Sequence, residues 1–364
     1  MLQTGFILNR RDDLIWFLGF PFAAIAFALS CQLWLPAVAL ASVSLWITVP
    51  HHFATWLRTY GIREDWARWK DQLIIGPLVI ITMAVLGLAY APLTLAIVAV
   101  LWDHQHSVMQ QHGLARIYDF KAKTGAPSTR NFDMALNWVL YVNLFLTAPL
   151  FAQVWLRWLY RWDFRIPYSA IVLLQHVSLI VVGLYLCVYV GHVLWCLRRG
   201  YTLNPVKYAF IAASFFLWYF TAWHTDSILV AGVAHRLMHG VQYIVMVYWY
   251  TRRKVHGTAP TGDRKRLVHR LVQAGNVKLF LLGCLVYAVV YQLLIGAPLG
   301  EFGFGIFNFT EGTAAIPELG LNGFGIEARY DLYANSIITT TGFAHYYFDS
   351  FIWKVRDRSV QSGL

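Results

Sequence analysis

Charge is scarce in this chain. Only 13% of its 364 residues are Asp, Glu, Lys or Arg, against about a quarter in a soluble globular domain. That excludes an ordinary water-soluble fold, and the 58% apolar content and mean hydropathy of +0.52 agree. Cysteine is sparser still: Cys31, Cys187, Cys196 and Cys284 each stand alone inside an apolar run. No CxxC pair or disulfide framework can be drawn from that spacing, which argues against an iron–sulfur centre and leaves packed thiols. Internal repeats of the kind common in secondary transporters are missing too. No small-residue cleavage site follows the first apolar run, so Met1 to Asp13 leads into a membrane helix rather than forming a removed signal. The net charge of +11 does not call for nucleic acid, because basic residues gather in membrane loops on one side.

What the chain does have is long apolar runs. A bilayer span needs about 20 such residues, and about ten runs qualify: 14–35, 37–57, 73–90, 91–112, 134–156, 169–197, 206–224, 227–250, 277–297 and 330–353. The expected fold is therefore all-α, a polytopic bundle forming a single transmembrane domain over residues 1–364. Alternate loops differ sharply in basic residues. One side collects 24 of the 29 Lys and Arg, whereas the other has Arg157, Arg161, Arg165 and Arg329. The positive-inside bias then places both termini in the cytoplasm, together with a basic loop at 251–276. A long outer loop at 296–329, rich in Gly and Phe, could fold back as a flap over an outer opening or simply connect two spans. Gly61 to Asp71 alternates Trp66 and Trp69 with charges, as an interfacial helix does. The 16 Trp, 20 Tyr and 24 Phe suit interfacial belts and apolar cavities. An integral multi-pass membrane protein follows, in the inner membrane if the cell is bacterial.

Within those runs stand histidines, where polar groups are costly and need a reason. Trp102 to His112 carries His104, His106, His112 and Asp103. At 1.5 Å rise per residue, His51 and His52 fall near the cytoplasmic end of the second span, and His104 to His112 over the last turns of the fourth. His192 lies near the cytoplasmic end of the sixth. His235 and His239 lie near mid-membrane, and His345 with Asp349 in the cytoplasmic half of the tenth. Histidine pairs four residues apart present two nitrogens to one point, as in His235/His239. His345 and Asp349 offer an imidazole and a carboxylate in the same way.

The candidate metal ligands are accordingly His51, His52, His104, His112, His235, His239, His345 and Asp349. His51 or His52 could instead stand behind the ligands, and Asp103 or Asp349 could orient an imidazole instead of ligating. His192 is the weakest candidate. His104 and His106 point about 160° apart around their helix, so one small site does not easily use both. His176, His224, His256 and His269 are read as hydrogen-bonded structural residues, the last two solvated in the basic loop. Gln242 and Tyr243, one turn past His239, are candidates for the site wall. No residue is singled out as a general acid, base or nucleophile.

The HxxxH of His235/His239, with further clusters near the cytoplasmic face, resembles the integral-membrane fatty-acid desaturase and hydroxylase group. The HxxHH boxes of that group are absent; the adjacent pair here is His51-His52, within PHHFATW. The combination of many spans with a few intramembrane histidines is also similar to Brp/Blh-type carotene dioxygenases. Both resemblances imply non-haem iron, one or two ions, and oxygen acting on a lipophilic substrate.

The expected function is thus a metal-dependent oxidoreductase, an oxygenase, hydroxylase or desaturase of a lipid or isoprenoid. Mixed imidazole and carboxylate donors suit iron and oxygen. Its partners would be the lipophilic substrate, membrane lipids and an electron donor. Two alternatives stand beside it. A membrane haem protein of electron transfer would use two histidines as axial ligands, and a proton-coupled transporter would relay protons through His and Asp.

Overall fold

The structure, a computed structural model, describes residues 1–258, 267–273, 275–295 and 328–364. Among these the chain is helical, and the one extended pairing is a bridge between Leu2 and Leu203. In order come α1 (Arg10–Asp13), a π-helical stretch (Leu14–Gly19), α2 (Phe20–Trp34), α3 (Ala37–Gly61), α4 (Arg63–Tyr90) and α5 (Pro92–Ala122). Then follow α6 (Thr129–Thr147), α7 (Pro149–Arg161), α8 (Tyr168–Arg198), α9 (Pro205–His224) and α10 (Ile228–Thr258). The chain ends with α11 (Leu267–Leu271), α12 (Val277–Ile295), α13 (Ala328–Ile352) and α14 (Arg358–Gln361). The outer loop at 296–329 and the middle of the basic loop lie almost wholly outside the described residues.

Five helices are long and apolar enough to cross a membrane: Arg10–Trp34, Arg63–Tyr90, Tyr168–Arg198, Ile228–Val255 and Val277–Ile295. Their outer faces are apolar and exposed, as at Leu78 and Met83 of α4, Leu173 and Leu184 of α8, and Leu282 and Val286 of α12. Such surfaces suit lipid, where no water needs to be excluded. The run at 134–156 is not one straight helix. It comprises α6 and α7, bent by 71°. The bend follows from sequence, because Ala148 is extended and precedes Pro149 in the first turn of α7. The ring of a proline disfavours helical geometry in the residue before it. Similarly, the aromatic stretch is continuous from Arg63 onward with the following span in α4, but Trp69 breaks helical geometry (φ −115°, ψ 23°) and marks where the two parts meet.

The chain divides into two compact units. One comprises Met1–Trp34 and Val108–Met238, the other Leu35–Ser107 and His239–Leu364.

In the first unit α6 packs along α8, and α9 contacts α2, α6 and α7. Its interior holds a charge network. Lys207 Nζ donates to Asp119 Oδ2 at 3.1 Å and Asp133 Oδ2 at 3.0 Å, all three buried. Tyr189 donates to the other Asp133 oxygen at 2.6 Å, and Arg116 and Thr124 donate to Asp119 at 2.7 and 3.1 Å. A buried charge is tolerated when it is paired and its remaining lone pairs are hydrogen-bonded, and this network meets both conditions. The N-terminal segment is tied in by Asn204, whose side chain bonds both the N–H and the carbonyl of Gly5.

In the second unit α13 packs along α4 and α3, and α12 along α3. Gly76 of α4 permits that approach, since a Cβ there would collide with the Tyr347 ring. Phe348 and Ile352 of α13 join Trp69 and Leu73 of α4 in one buried cluster. Below it, Arg58 is fully buried. Its guanidinium pairs with Asp65 at 3.4 Å and lies over the rings of Trp353 and Tyr250, 3.6 and 4.0 Å from their centroids. Facing an aromatic ring gives a buried cation a partial substitute for water.

Candidate metal centre

The second unit gathers four of its histidines around His345. Four helices contribute. From α3 come His51, His52 and Thr55, and from α5 His106. From α10 come His239 and Tyr243, and from α13 His345, Tyr346 and Asp349. Helical spacing explains three of these sets: 51/55, 239/243 and 345/349 are each four apart and share a face. Pro50, inside α3 just before the pair, has no N–H to give the preceding turn.

The ring of His345 has centroids around it at 4.6 Å (His51), 4.8 Å (His106), 5.0 Å (His52) and 6.2 Å (His239). Nε2 of His51 lies 3.1 Å from Nε2 of His345. Asp349 Oδ2 stands 3.9 Å from that same His345 nitrogen and 3.7 Å from Nε2 of His106. Two sets of donor atoms lie close enough together to hold an ion: His51, His239 and His345, and His106, His345 and Asp349. Ligands about 2.0–2.2 Å from one ion can be at most about 4.4 Å apart, so the 3.1 Å separation in the first set and the 3.7 and 3.9 Å separations in the second each suit an ion. All four imidazoles are buried. Buried imidazole nitrogens with one carboxylate are a donor set that could hold a transition metal.

Close packing holds the donors in place. Tyr346 stacks on His106 with ring centroids 4.7 Å apart and donates its hydroxyl proton to Asp103 Oδ1 at 2.9 Å. Thr55 Oγ1 donates to the Tyr243 hydroxyl at 2.9 Å and contacts His345 Nδ1 at 2.7 Å. Tyr243 in turn donates to Asp349 Oδ1 at 2.7 Å. Gly240 leaves space for His51, because a Cβ there would lie 3.2 Å from His51 Nδ1.

Of the eight residues expected from sequence, the structure brings together His51, His52, His239, His345 and Asp349. His104, His112 and His235 are not among the grouped donors. His104 bonds through Nδ1 to the carbonyl of Val100 at 2.8 Å, on its own helix. His112 and His235 belong to the other unit, where His235 meets the Trp218 ring edge-on at 5.8 Å. His106 takes the place expected of His104.

One signal in the sequence bears on that choice, the large Trp102 one turn before His106, although packing decides it. Trp102, Asp103 and His106 lie on one helical face, and Trp102 and Asp103 both contact α13, at Phe343 and Tyr346. Thr55 carried no such signal. Tyr243, expected at the site wall, lies against His345 and also bonds a candidate ligand.

The remaining histidines are dispersed. His192 stacks flat on Phe132 at 3.8 Å, with Thr129 and Cys196 at its Nε2. His176 and His224 are exposed. His269, expected to be solvated, is buried, and the side chain of His256 lies outside the described residues. Cys187 is exposed on α8, unlike the other three cysteines. No family model, curated protein or solved structure matches this chain.

Proposed function

We propose that this protein is a membrane-embedded, metal-dependent oxidoreductase that uses oxygen on a lipophilic substrate, with non-haem iron held by His51, His106, His239, His345 and Asp349. The observation that carries the reading is the convergence of four buried imidazoles and one carboxylate, from four helices, around His345 Nε2. Both donor sets include His345, and one nitrogen lone pair serves one metal, which favours a single ion. Histidines with a carboxylate suit iron and oxygen chemistry better than a thiolate site or an all-oxygen cage would. When bound, iron supplies the capacity to activate oxygen. The chain supplies the ligand geometry, and its burial of the site keeps water from the reacting groups. A haem takes two histidines as axial ligands and would leave the other donors of the cluster without a role. Exposed apolar helix faces favour a substrate that enters from the bilayer. The pattern-level likeness to histidine-rich membrane oxygenases points the same way.

We further infer ten crossings with both termini in the cytoplasm. Beyond the five helices already apolar enough and the bent pair α6–α7, α3, α5, α9 and α13 have 25, 31, 20 and 25 residues. About 20 suffice to cross. Three of those four carry the centre's own polar side chains, which lowers their apolarity. The asymmetry of Lys and Arg sets the orientation. Elemental analysis of protein extracted in mild detergent tests the function. About one iron per chain is the expected result, and an active protein free of metal would overturn it. Reporter fusions at Leu364 and between residues 312 and 321 should report opposite sides of the membrane.

A further inference from the structure

We infer that Thr55 and Tyr243 are positioning residues that decide which nitrogen of His345 and which oxygen of Asp349 face the metal. The inference rests on the metal reading above and deepens it. A neutral imidazole carries one ring proton, and only the bare nitrogen can ligate. Some neighbour must therefore hold the His345 proton on Nδ1 if Nε2 is to bind.

With Asp349 ionised, as it is when it ligates, the hydrogen bonds leave one place for that proton. Asp349, as an ionised ligand, only accepts. Tyr243 has a single hydroxyl proton, and it goes to Asp349 Oδ1 at 2.7 Å. The Tyr243 oxygen must then accept from Thr55, 2.9 Å away. Thr55 also has one proton, now directed to Tyr243. Its 2.7 Å contact with His345 Nδ1 can only be an N–H of the imidazole donating to Oγ1. The chain of donors runs one way, from His345 through Thr55 and Tyr243 to Asp349. It fixes the proton on Nδ1 and leaves the Nε2 lone pair facing His51 Nε2, 3.1 Å away.

The same tyrosine sets the carboxylate. With Oδ1 held by Tyr243, Oδ2 is the oxygen turned toward His106 and His345. One hydroxyl thus orients Asp349 directly and His345 through Thr55. Thr55, Tyr243 and His345 are all buried, so no bulk water competes for these bonds. Partners of this kind typically change metal affinity by about 10–100-fold when removed.

The test uses the full chain in detergent with nitrogen-15-labelled histidine and cobalt(II) as the probe metal. In the metal-free protein, held at alkaline pH so that Asp349 is ionised as it is when it ligates, the His345 signal, assigned by its loss in His345→Gln, should report Nδ1–H. Tyr243→Phe and Thr55→Val should mix the tautomers and weaken cobalt binding by about 10–100-fold. Thr55→Ser keeps the hydroxyl and should restore both readouts, a rescue that a purely packing role for Thr55 would not give. Should Thr55→Val fail to fold, Tyr243→Phe still decides, because it keeps the ring and removes only the relay. An Nε2–H tautomer in the wild type overturns the inference, as do variants that bind cobalt as tightly as wild type. Wild-type protein that takes up no cobalt overturns the metal reading itself, and this inference with it.

Discussion

Replacing Gly240 with alanine should weaken metal binding while leaving the stability of the fold nearly unchanged. The added Cβ would lie 3.2 Å from His51 Nδ1, 3.5 Å from the Ile47 carbonyl oxygen and 3.7 Å from His51 Cγ. Ordinary contact begins near 3.4 Å, so the imidazole must retreat by a few tenths of an ångström. Overpacking costs about 1–3 kcal/mol, and a displacement this small belongs at the low end. Against it, alanine in a helix interior is favoured over glycine by about 1 kcal/mol. The two terms nearly cancel for folding, but not for ligation. A ligand forced off its position loses affinity on the scale of a lost orienting partner, about 10–100-fold. Gly232 provides the control, since it lies on the same helix with nothing within 4 Å of an added methyl. Cobalt titration and thermal unfolding of the full chain in detergent measure both effects. Gly240→Ala should bind cobalt at least about 10-fold more weakly with little change in unfolding temperature, and Gly232→Ala should bind as wild type does. Wild-type affinity in Gly240→Ala, or equal losses in both, would refute the reasoning.

Other consequences can be measured with the same material. His106→Ala should strip the metal whereas His104→Ala should retain it, the reverse of what helical spacing alone suggests; metal content of the two purified variants decides. Lys207→Met leaves Asp119 and Asp133 facing each other without their cation, and removing one partner of a buried charge network costs about 3–5 kcal/mol. Thermal unfolding should register that loss in a variant whose metal content, normalised to folded protein, is unchanged. His269→Ala and His192→Ala should also keep full metal content, since neither belongs to the grouped donors.

The helical, membrane-like character of the chain was legible from composition, because apolar runs of span length leave few other choices. The division into two units was not, since no linker or shift in composition marks the breaks inside α5 and α10. Within the site, the pairs read from i,i+4 spacing split by context. His345/Asp349 both face the centre, but His235/His239 part company, one at Trp218 and the other at the donor cluster. Spacing constrains which side chains share a face; it does not say which face is turned inward. That is decided by packing, and at α5 the deciding contacts are those of Trp102 and Asp103 with α13. Thr55 was silent in the sequence for a related reason. A threonine in an apolar helix commonly bonds its own backbone, and only the long-range contacts to Tyr243 and His345 distinguish this one.

Anomalous diffraction at the iron absorption edge, from crystals of protein purified without added metal, tests the central claim most directly. One peak is expected, enclosed by His51, His106, His239, His345 and Asp349 at ligand distances of about 2.0–2.2 Å. A peak beside His104, His112 or His235, or no peak in protein that still turns over substrate, would contradict it.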